Sequence, residues 1–417
     1  MIVKKCDVVV IGGGVSGVSA ALSASEAGSK VILIERNPYF GGQATHSLVT
    51  SFCGFYTRGQ KPDKVIGGIG QVVLDRLEQA GFSTKAIPSK STGNSSIKFD
   101  PEALKLILDE LLEASNVDYY LHTNLIDVNK DQTGQITSIA CLDDEQPFEI
   151  KAKAYIDATG NANLVALAQI KTLWGNEDGK VQQTSLSFRL NGLPRREILS
   201  SELEEAIKKG KAAGIKNLHK EKGMIIKSID ADYGYCTIPS TILKDLSGKE
   251  KTRAEIQLRK QMSAYTQAFR CFIPDFNNIQ IVTSGPEIGI REARRIIGKY
   301  QLKGYDILAA HKEKTSIGRA SWSPEIHKSD TVLEYTYIPD NEYASIPLGT
   351  LEVLECPNLW AAGRIIATDS LAFGSVRVMG TGFATGQAAG VAAAMFCKEE
   401  YTYEKIKAKL LQQGALL

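Results

Sequence analysis

Residues 7–35 run Asp-Val-Val-Val-Ile-Gly-Gly-Gly-Val-Ser-Gly through to Val-Ile-Leu-Ile-Glu, a pattern with few structural solutions. Val8–Ile11 is an apolar run too short for a helix, so it predicts a buried strand. Gly12, Gly14 and Gly17 follow with the G-x-G-x-x-G spacing. In that spacing the first glycine makes the tight turn and the second lets the backbone approach a pyrophosphate. The third allows close helix–strand packing. Val15 and Ser16 sit inside the turn, and a helix over Val18 to about Ala27 would point its amides and positive dipole end at phosphates. Gly28 stops that helix, Val31–Glu35 reads as the second strand, and Glu35 stands where an acid accepts hydrogen bonds from a ribose. Strand, turn, helix, strand and acid together predict a dinucleotide-binding fold. A bare glycine pattern would not.

At 417 residues the chain can hold two domains, or one with a large insertion. Its 43% hydrophobic and 23% charged residues match a soluble globular protein, and a net charge of +2 gives no reason to invoke nucleic acid or a membrane surface. Met1 leads through Lys4 and Lys5 into the first strand, which predicts no signal peptide. The small-apolar stretch Ala384–Phe396 is too short to span a bilayer. Seven scattered cysteines, with neither a C-x-x-C pair nor metal spacing, predict free thiols in a reducing cytoplasm.

Further along, Gly41-Gly42-Gln43 forms a loop suited to close ligand approach, and 66–82 predicts a helix stopped by Gly81. Asp100-Pro101 predicts the start of another, as an N-cap followed by proline at the first helical position. Tyr119–Val128, Ile136–Leu142 and Phe148–Ile156 read as an antiparallel meander that ends in Asp157-Ala158-Thr159-Gly160. Residues 180–350 mix strand-like runs at 185–190, 233–238 and 279–283 with charged helices. Ser201–Glu204 matches a capping box there, and the lysines at 208, 209 and 211 read as a solvated helix end. Leu359–Ala362 predicts a strand, and Gly380–Phe396 a tightly packed last helix.

These segments, with Asp7–Glu35, Gly41-Gly42, Gly289–Arg295, Trp360–Arg364, Gly374–Met379 and Ala384–Gly390, resemble the FAD-dependent oxidoreductase family. They occur in the order of a glutathione-reductase-type FAD domain, related to fumarate reductase and succinate dehydrogenase flavoproteins. The stretch from about 195 to 280 carries none of the resemblance. It implies an α/β fold with a Rossmann FAD-binding domain made of 1–60, 97–170 and 350–417, and an inserted α+β substrate domain made of 61–96 and 171–349. By the same resemblance Gly12, Gly14 and Gly17 face the pyrophosphate, and Glu35 and Arg36 the adenosine ribose. Gly42 and Gln43 lie along the flavin side, and the Leu125 backbone meets the adenine. Ala158, Thr159 and Gly160 close over the dinucleotide, and Gly363 and Arg364 approach the ribityl–phosphate portion. Met379, Gly380, Thr381 and Gly382 aim helix amides at the flavin pyrimidine edge. Gly68-Ile69-Gly70 and Gly380-Thr381-Gly382 lack the strand and acid of a second nucleotide fold, so packing or flavin contact explains them better.

The flavin would carry the hydride chemistry, with protein groups supplying position, charge and a proton. His46 is a candidate acid or base, although a histidine hydrogen-bonded in a loop fits it equally. Cys53, in an apolar-aromatic setting, is a candidate thiol or a buried inert one. Arg291, Arg294 and Arg295, at i, i+3 and i+4, predict one side of a helix opened by Gly289. Arg291, Arg364 and Arg377 could hold a carboxylate bidentately, or they could form ion pairs with acids such as Glu287 and Glu292. The expected protein is a cytoplasmic FAD enzyme moving hydride between flavin N5 and a small organic substrate, completed by an external electron donor or acceptor. A flavin monooxygenase is the alternative, less favoured because Gly363-Arg364 stands where those enzymes usually carry Gly-Asp. An electron-transfer flavoprotein subunit is a third.

Overall fold

Four short runs, at 8–11, 31–34, 154–157 and 359–361, apolar but for Asp157, are buried from end to end, the signature of strands covered on both faces. In the computed structural model, which describes residues 2–227, 231–327, 329 and 333–417, they form one parallel sheet. Its order is Leu359–Ala361, Ala154–Asp157, Val8–Ile11, Val31–Ile34 and Val117–Tyr120. Alternation then splits the layers. Val8, Val10, Val31 and Leu33 pack with the helices Val15–Glu26 and Met379–Cys397, while Val9, Ile11, Ile32 and Ile34 pack toward Ile139, Cys141, Phe148 and Ile150 of the meander. Helices, parallel sheet and meander thus make three layers.

The meander is shifted from its sequence-based bounds. Tyr119–Val128 breaks into Val117–Tyr120, which edges the parallel sheet, and Asn124–Lys130, which begins the meander. His122, at φ 52°, makes the break between them. Phe148–Ile156 likewise divides into Pro147–Lys151 and Ala154–Asp157, one strand for each sheet. Neither run carries a glycine or proline to mark the break, so alternation alone cannot show where the chain changes layer. The strand Ile2–Lys5 adds in parallel to Pro147–Lys151.

A second unit has its own core. Ile225–Lys227, Tyr233–Cys236, Phe188–Asn191 and Gln280–Ser284 form an antiparallel sheet, packed through Phe188, Leu190 and Cys236 against Tyr265, Phe269 and Phe276. Helices Ser200–Ala212 and Gly248–Phe272 supply that packing. The first begins before the predicted box: Glu202, not Glu204, closes the cap by accepting from the Leu199 N–H at 2.6 Å. Its lysines are solvated, with Lys208 and Lys209 paired to Glu204 and Glu205. Gly68–Gln79 is helical as expected and packs Val73, Leu74 and Leu77 into the core of the parallel-sheet side. Asp100 caps Pro101–Glu113 through the Glu102 and Ala103 amides. Met379–Cys397 is not the last helix, since Tyr403–Gln412 follows it.

Candidate active site

The glycine turn is built by close approach. Gly12 has φ +101°, and a Cβ there would lie 2.6 Å from the Ala158 carbonyl oxygen, so the 158–160 turn rests on bare backbone. Gly17 packs equally tightly on the Gly12 carbonyl, and its neighbours Val15 and Ser16 line the cavity that opens above. Gly14 pairs with Gly41, and the Gly41 N–H donates to the Gly13 carbonyl at 2.9 Å. That brings the Gly42–Gln43 turn alongside the fingerprint. Helix Val15–Glu26 starts with no side-chain cap and no acid in its first turn, leaving its amides for a ligand. Glu35 is 7% exposed, and its carboxylate already accepts from the Gly13 N–H at 2.6 Å and the Asn37 N–H at 2.9 Å. Burial pushes its pKa up against those two bonds.

The other end of the chain faces this turn. Helix Met379–Cys397 also opens without a side-chain cap or an acid, with Met379 and Gly382 at the cavity. Gly380 and Thr381 are packed instead against Cys53 and Gly54, so of the expected four residues only the outer two reach the cavity wall. Thr385 ties the helix to the Gly363 turn, accepting from the Gly363 N–H at 3.1 Å. The Arg364 guanidinium lies over Gly160, where a Cβ would meet it at 2.6 Å, and donates to Asn161 Oδ1 at 3.3 Å. Its buried Nε has no partner, and burial pushes its pKa down to about 10. Leu125, Thr159 and Gly160 complete this groove. Gly68 is close-packed on Gln387, which makes the Gly68–Gly70 repeat a packing feature.

One cavity of about 1720 Å³ joins these parts to the second unit. That exceeds the roughly 300–1,000 Å³ of a single-ligand pocket, leaving room for a dinucleotide and a second molecule. His46 is 2% exposed, stacked on Tyr39 at 4.5 Å and 8°, with Nε2 unpartnered. Burial lowers its pKa and keeps it neutral. Cys53 lies at the same cavity, its thiol pushed up to about 12 by burial. Arg36 lines the cavity too, but it is ion-paired to Glu287 of the second unit, which also accepts from Asn37 Nδ2 at 3.4 Å.

The predicted arginine helix does not form. Arg294–Ile296 is a strand paired with Thr172–Trp174, and residues before it are extended because Ile288, Ile290 and Ala293 turn into a local core. The i, i+3, i+4 spacing was coincidence, and the three arginines part. Arg295 is buried on Glu292. Arg294 donates to Asn161 O and Asn163 Oδ1 at 2.9 and 2.8 Å. Arg291 alone reaches the cavity, donating to the Gln183 carbonyl at 2.7 Å.

Sequence reading missed what stands beside Arg291. The hairpin Glu325–His327 and Leu333–Tyr335 sets Glu325 and His327 at i and i+2, hence on one face. Glu325 Oε2 receives Arg377 at 3.0 Å, while Oε1 accepts from Tyr335 OH at 2.6 Å and lies 3.3 Å from His327 Nε2. Burial would raise the Glu325 pKa, but His327, Arg377 and Tyr335 together hold it well below the carboxylate range. Burial and the Arg291 charge push His327 down to about 3, and burial beside Glu325 raises Tyr335. The only sequence signal was the E-x-H alternation on a short strand.

Among the described residues no helix is long and apolar enough to cross a membrane. The family of FAD dependent oxidoreductases matches the chain over residues 7–414. A fumarate reductase (cytochrome) from Shewanella frigidimarina is 60% identical over 38 residues, 9% of this chain and 7% of that protein. A thiamine thiazole synthase from Methanococcus aeolicus is 30% identical over 164 residues, 38% of this chain and 57% of that protein. The chain therefore spans well under two thirds of these curated relatives. Among solved structures, BexE, studied for oxidation during BE-7585A biosynthesis, covers 97% of this chain and 69% of its own at TM-score 0.50 and 12% identity, a likeness of fold. With a glycine turn, two uncapped helix starts and a family match over nearly its whole length, the chain belongs to the FAD dependent oxidoreductases, enzymes that use FAD.

Proposed function

We propose that this enzyme transfers hydride between FAD and a small organic substrate held in the shared cavity, in the cytoplasm, with an external electron donor or acceptor. The observation that carries this reading is the meeting, in one cavity, of the glycine cradle with Arg291, Glu325, His327 and Arg377. The three layers support a glutathione-reductase-type FAD domain, with the sheet at 188–284 as the core of an inserted substrate domain. FAD fits the cradle, since both facing helix starts leave amides unclaimed and Arg364 Nε and His46 Nε2 lack protein partners. Gly12, Gly14, Gly17, Val15 and Ser16 would hold the pyrophosphate, Glu35 the ribose and Leu125 the adenine, with Gly42, Gln43, Met379 and Gly382 at the flavin.

When bound, the flavin supplies the two-electron chemistry. Arg291 orients the substrate with the guanidinium donors left over from its bond to Gln183. Glu325 fixes Arg377 and Tyr335, and so sets which donors meet the substrate. His46, neutral and with a free Nε2, takes or returns the proton. Cys53, a neutral thiol, packs the wall. Anaerobic mixing with substrate should bleach the flavin, and Arg291→Gln should slow that step about 100-fold while FAD content stays constant. An oxygen atom from O₂ found in the product would overturn hydride transfer in favour of oxygen insertion.

A further inference from the structure

Charge counting around Arg291 narrows the substrate. Among the described residues six titratable side chains of the lining lie close to one another: Arg291, Arg377, Glu325, His327, Tyr335 and Cys53. Arg377 and Glu325 are both largely buried and cancel each other across 3.0 Å. Tyr335 and His327 sit on the remaining Glu325 oxygen as neutral groups, and Cys53 is a neutral thiol. Arg291, held at about 10, stays a cation, and among the described residues it makes a single hydrogen bond, to a backbone carbonyl. Among the described residues the cluster therefore carries one uncompensated positive charge. A buried charge without a partner is costly, so an incoming anion is strongly favoured there.

Several other cations line the cavity, and Arg259 among them is paired with Glu255. Arg36 is bound to Glu287, and Arg364 lies on Gly160 in the groove where the cofactor diphosphate would run. Lys98, which donates to the Lys227 carbonyl at 2.5 Å, Lys222 and Lys251 also line the cavity and add a general attraction for anions. The lining also includes the apolar side chains of Trp322, Ile87 and Met224, the last two largely exposed.

Resting on the hydride-transfer reading above, we infer that the substrate is a monocarboxylic acid with an apolar body. Its carboxylate would lie on the planar fork of Arg291, because Glu325 has already neutralised Arg377. Beside Arg291 a second carboxylate would meet the Glu325 charge, which already holds Arg377.

The test is a titration of the FAD-loaded enzyme with butyrate and hexanoate against succinate and adipate, at fixed ionic strength and neutral pH, read by the change in flavin absorbance. The monocarboxylates should bind at least 10-fold more tightly than the dicarboxylate of equal carbon number. Arg291→Gln should weaken them about 100-fold, and Arg291→Lys, which keeps the charge and loses the fork, about 10-fold. Glu325→Gln, by releasing the Arg377 charge, should shift the ratio at least 10-fold toward the dicarboxylates, an outcome that a purely structural role for Glu325 would not give. Tighter dicarboxylate binding by the wild-type enzyme would overturn the inference even if Glu325→Gln failed to fold. So would an Arg291→Gln enzyme that binds like wild type, or an unchanged ratio in folded Glu325→Gln. The two readings fail separately. Selective binding of monocarboxylates without flavin reduction by any acid would sink hydride transfer alone, and reduction only by uncharged substrates would sink the carboxylate alone.

Discussion

His327 shows how one side chain ties the site to the stability of the protein. Its folded pKa, pushed down to about 3 by burial and by Arg291, lies below the ordinary 6.5. As pH falls through 6.5 the unfolded chain takes the proton and the folded one does not, so stability present at neutral pH is lost on acidification. Glu325 acts in the same direction at lower pH, because its folded pKa is depressed. Thermal melts between about pH 7 and pH 5 should show a loss on the order of 2 kcal/mol from His327. His327→Gln should remove most of that pH dependence, and melts that ran parallel to the wild type would refute the assignment. None of this was legible in the sequence. Glu325 and His327 stand more than 280 residues from the glycine fingerprint, with a two-residue spacing common to any strand. By contrast Gly12, Gly14 and the Gly42 turn could be read directly, because glycines at fixed spacing mark them, although the backbone that Gly12 meets at Ala158 lies far along the chain.

Elements were legible where a start signal or an end signal was chemical. Asp100-Pro101 and Gly81 mark their helix ends as read, one by side-chain capping and the other by φ +87°. Where only periodicity spoke, reading failed: Arg291, Arg294 and Arg295 share a helical spacing but lie in extended chain, because tertiary burial of Ile290 and Ala293 sets the backbone there. The helix pair Val15–Glu26 and Met379–Cys397 makes the converse point, since its glycines report contact. A Cβ on Gly386 would fall 2.1 Å from the Ser16 carbonyl oxygen, and one on Gly390 2.2 Å from that of Ala20. Gly386→Ala should therefore force the helices apart, costing about 3 kcal/mol or more and weakening FAD retention, as measured by denaturant unfolding and by flavin content after gel filtration. Gly248→Ala, with nothing within 4 Å, is the control and should be nearly neutral. Equal effects from the two would remove close packing as the reason for those glycines.

At the scale of the molecule, the Arg36–Glu287 pair, both partners lining the cavity, joins the parallel-sheet side to the segment that follows the strand Gln280–Ser284. Both partners are partly exposed, so the pair is weak and screened by salt. Glu287→Ala should speed FAD release only a few-fold, with a smaller salt dependence than wild type in stopped-flow dilution. A rate unchanged at low salt would show that the pair does not restrain the cofactor. The layered fold itself was legible, because its strands announce themselves by length and burial. The assembly of the cavity was not, since it depends on two units whose relative placement leaves no trace in spacing. The pairing of Val15–Glu26 with Met379–Cys397 also has a consequence for biosynthesis. The first helix leaves the ribosome with its buried face, Ala20, Ala21 and Ala24, uncovered until a partner more than 350 residues later is made. Until Met379–Cys397 has emerged the nascent chain must carry that surface exposed, and the groove between the two helix starts is incomplete.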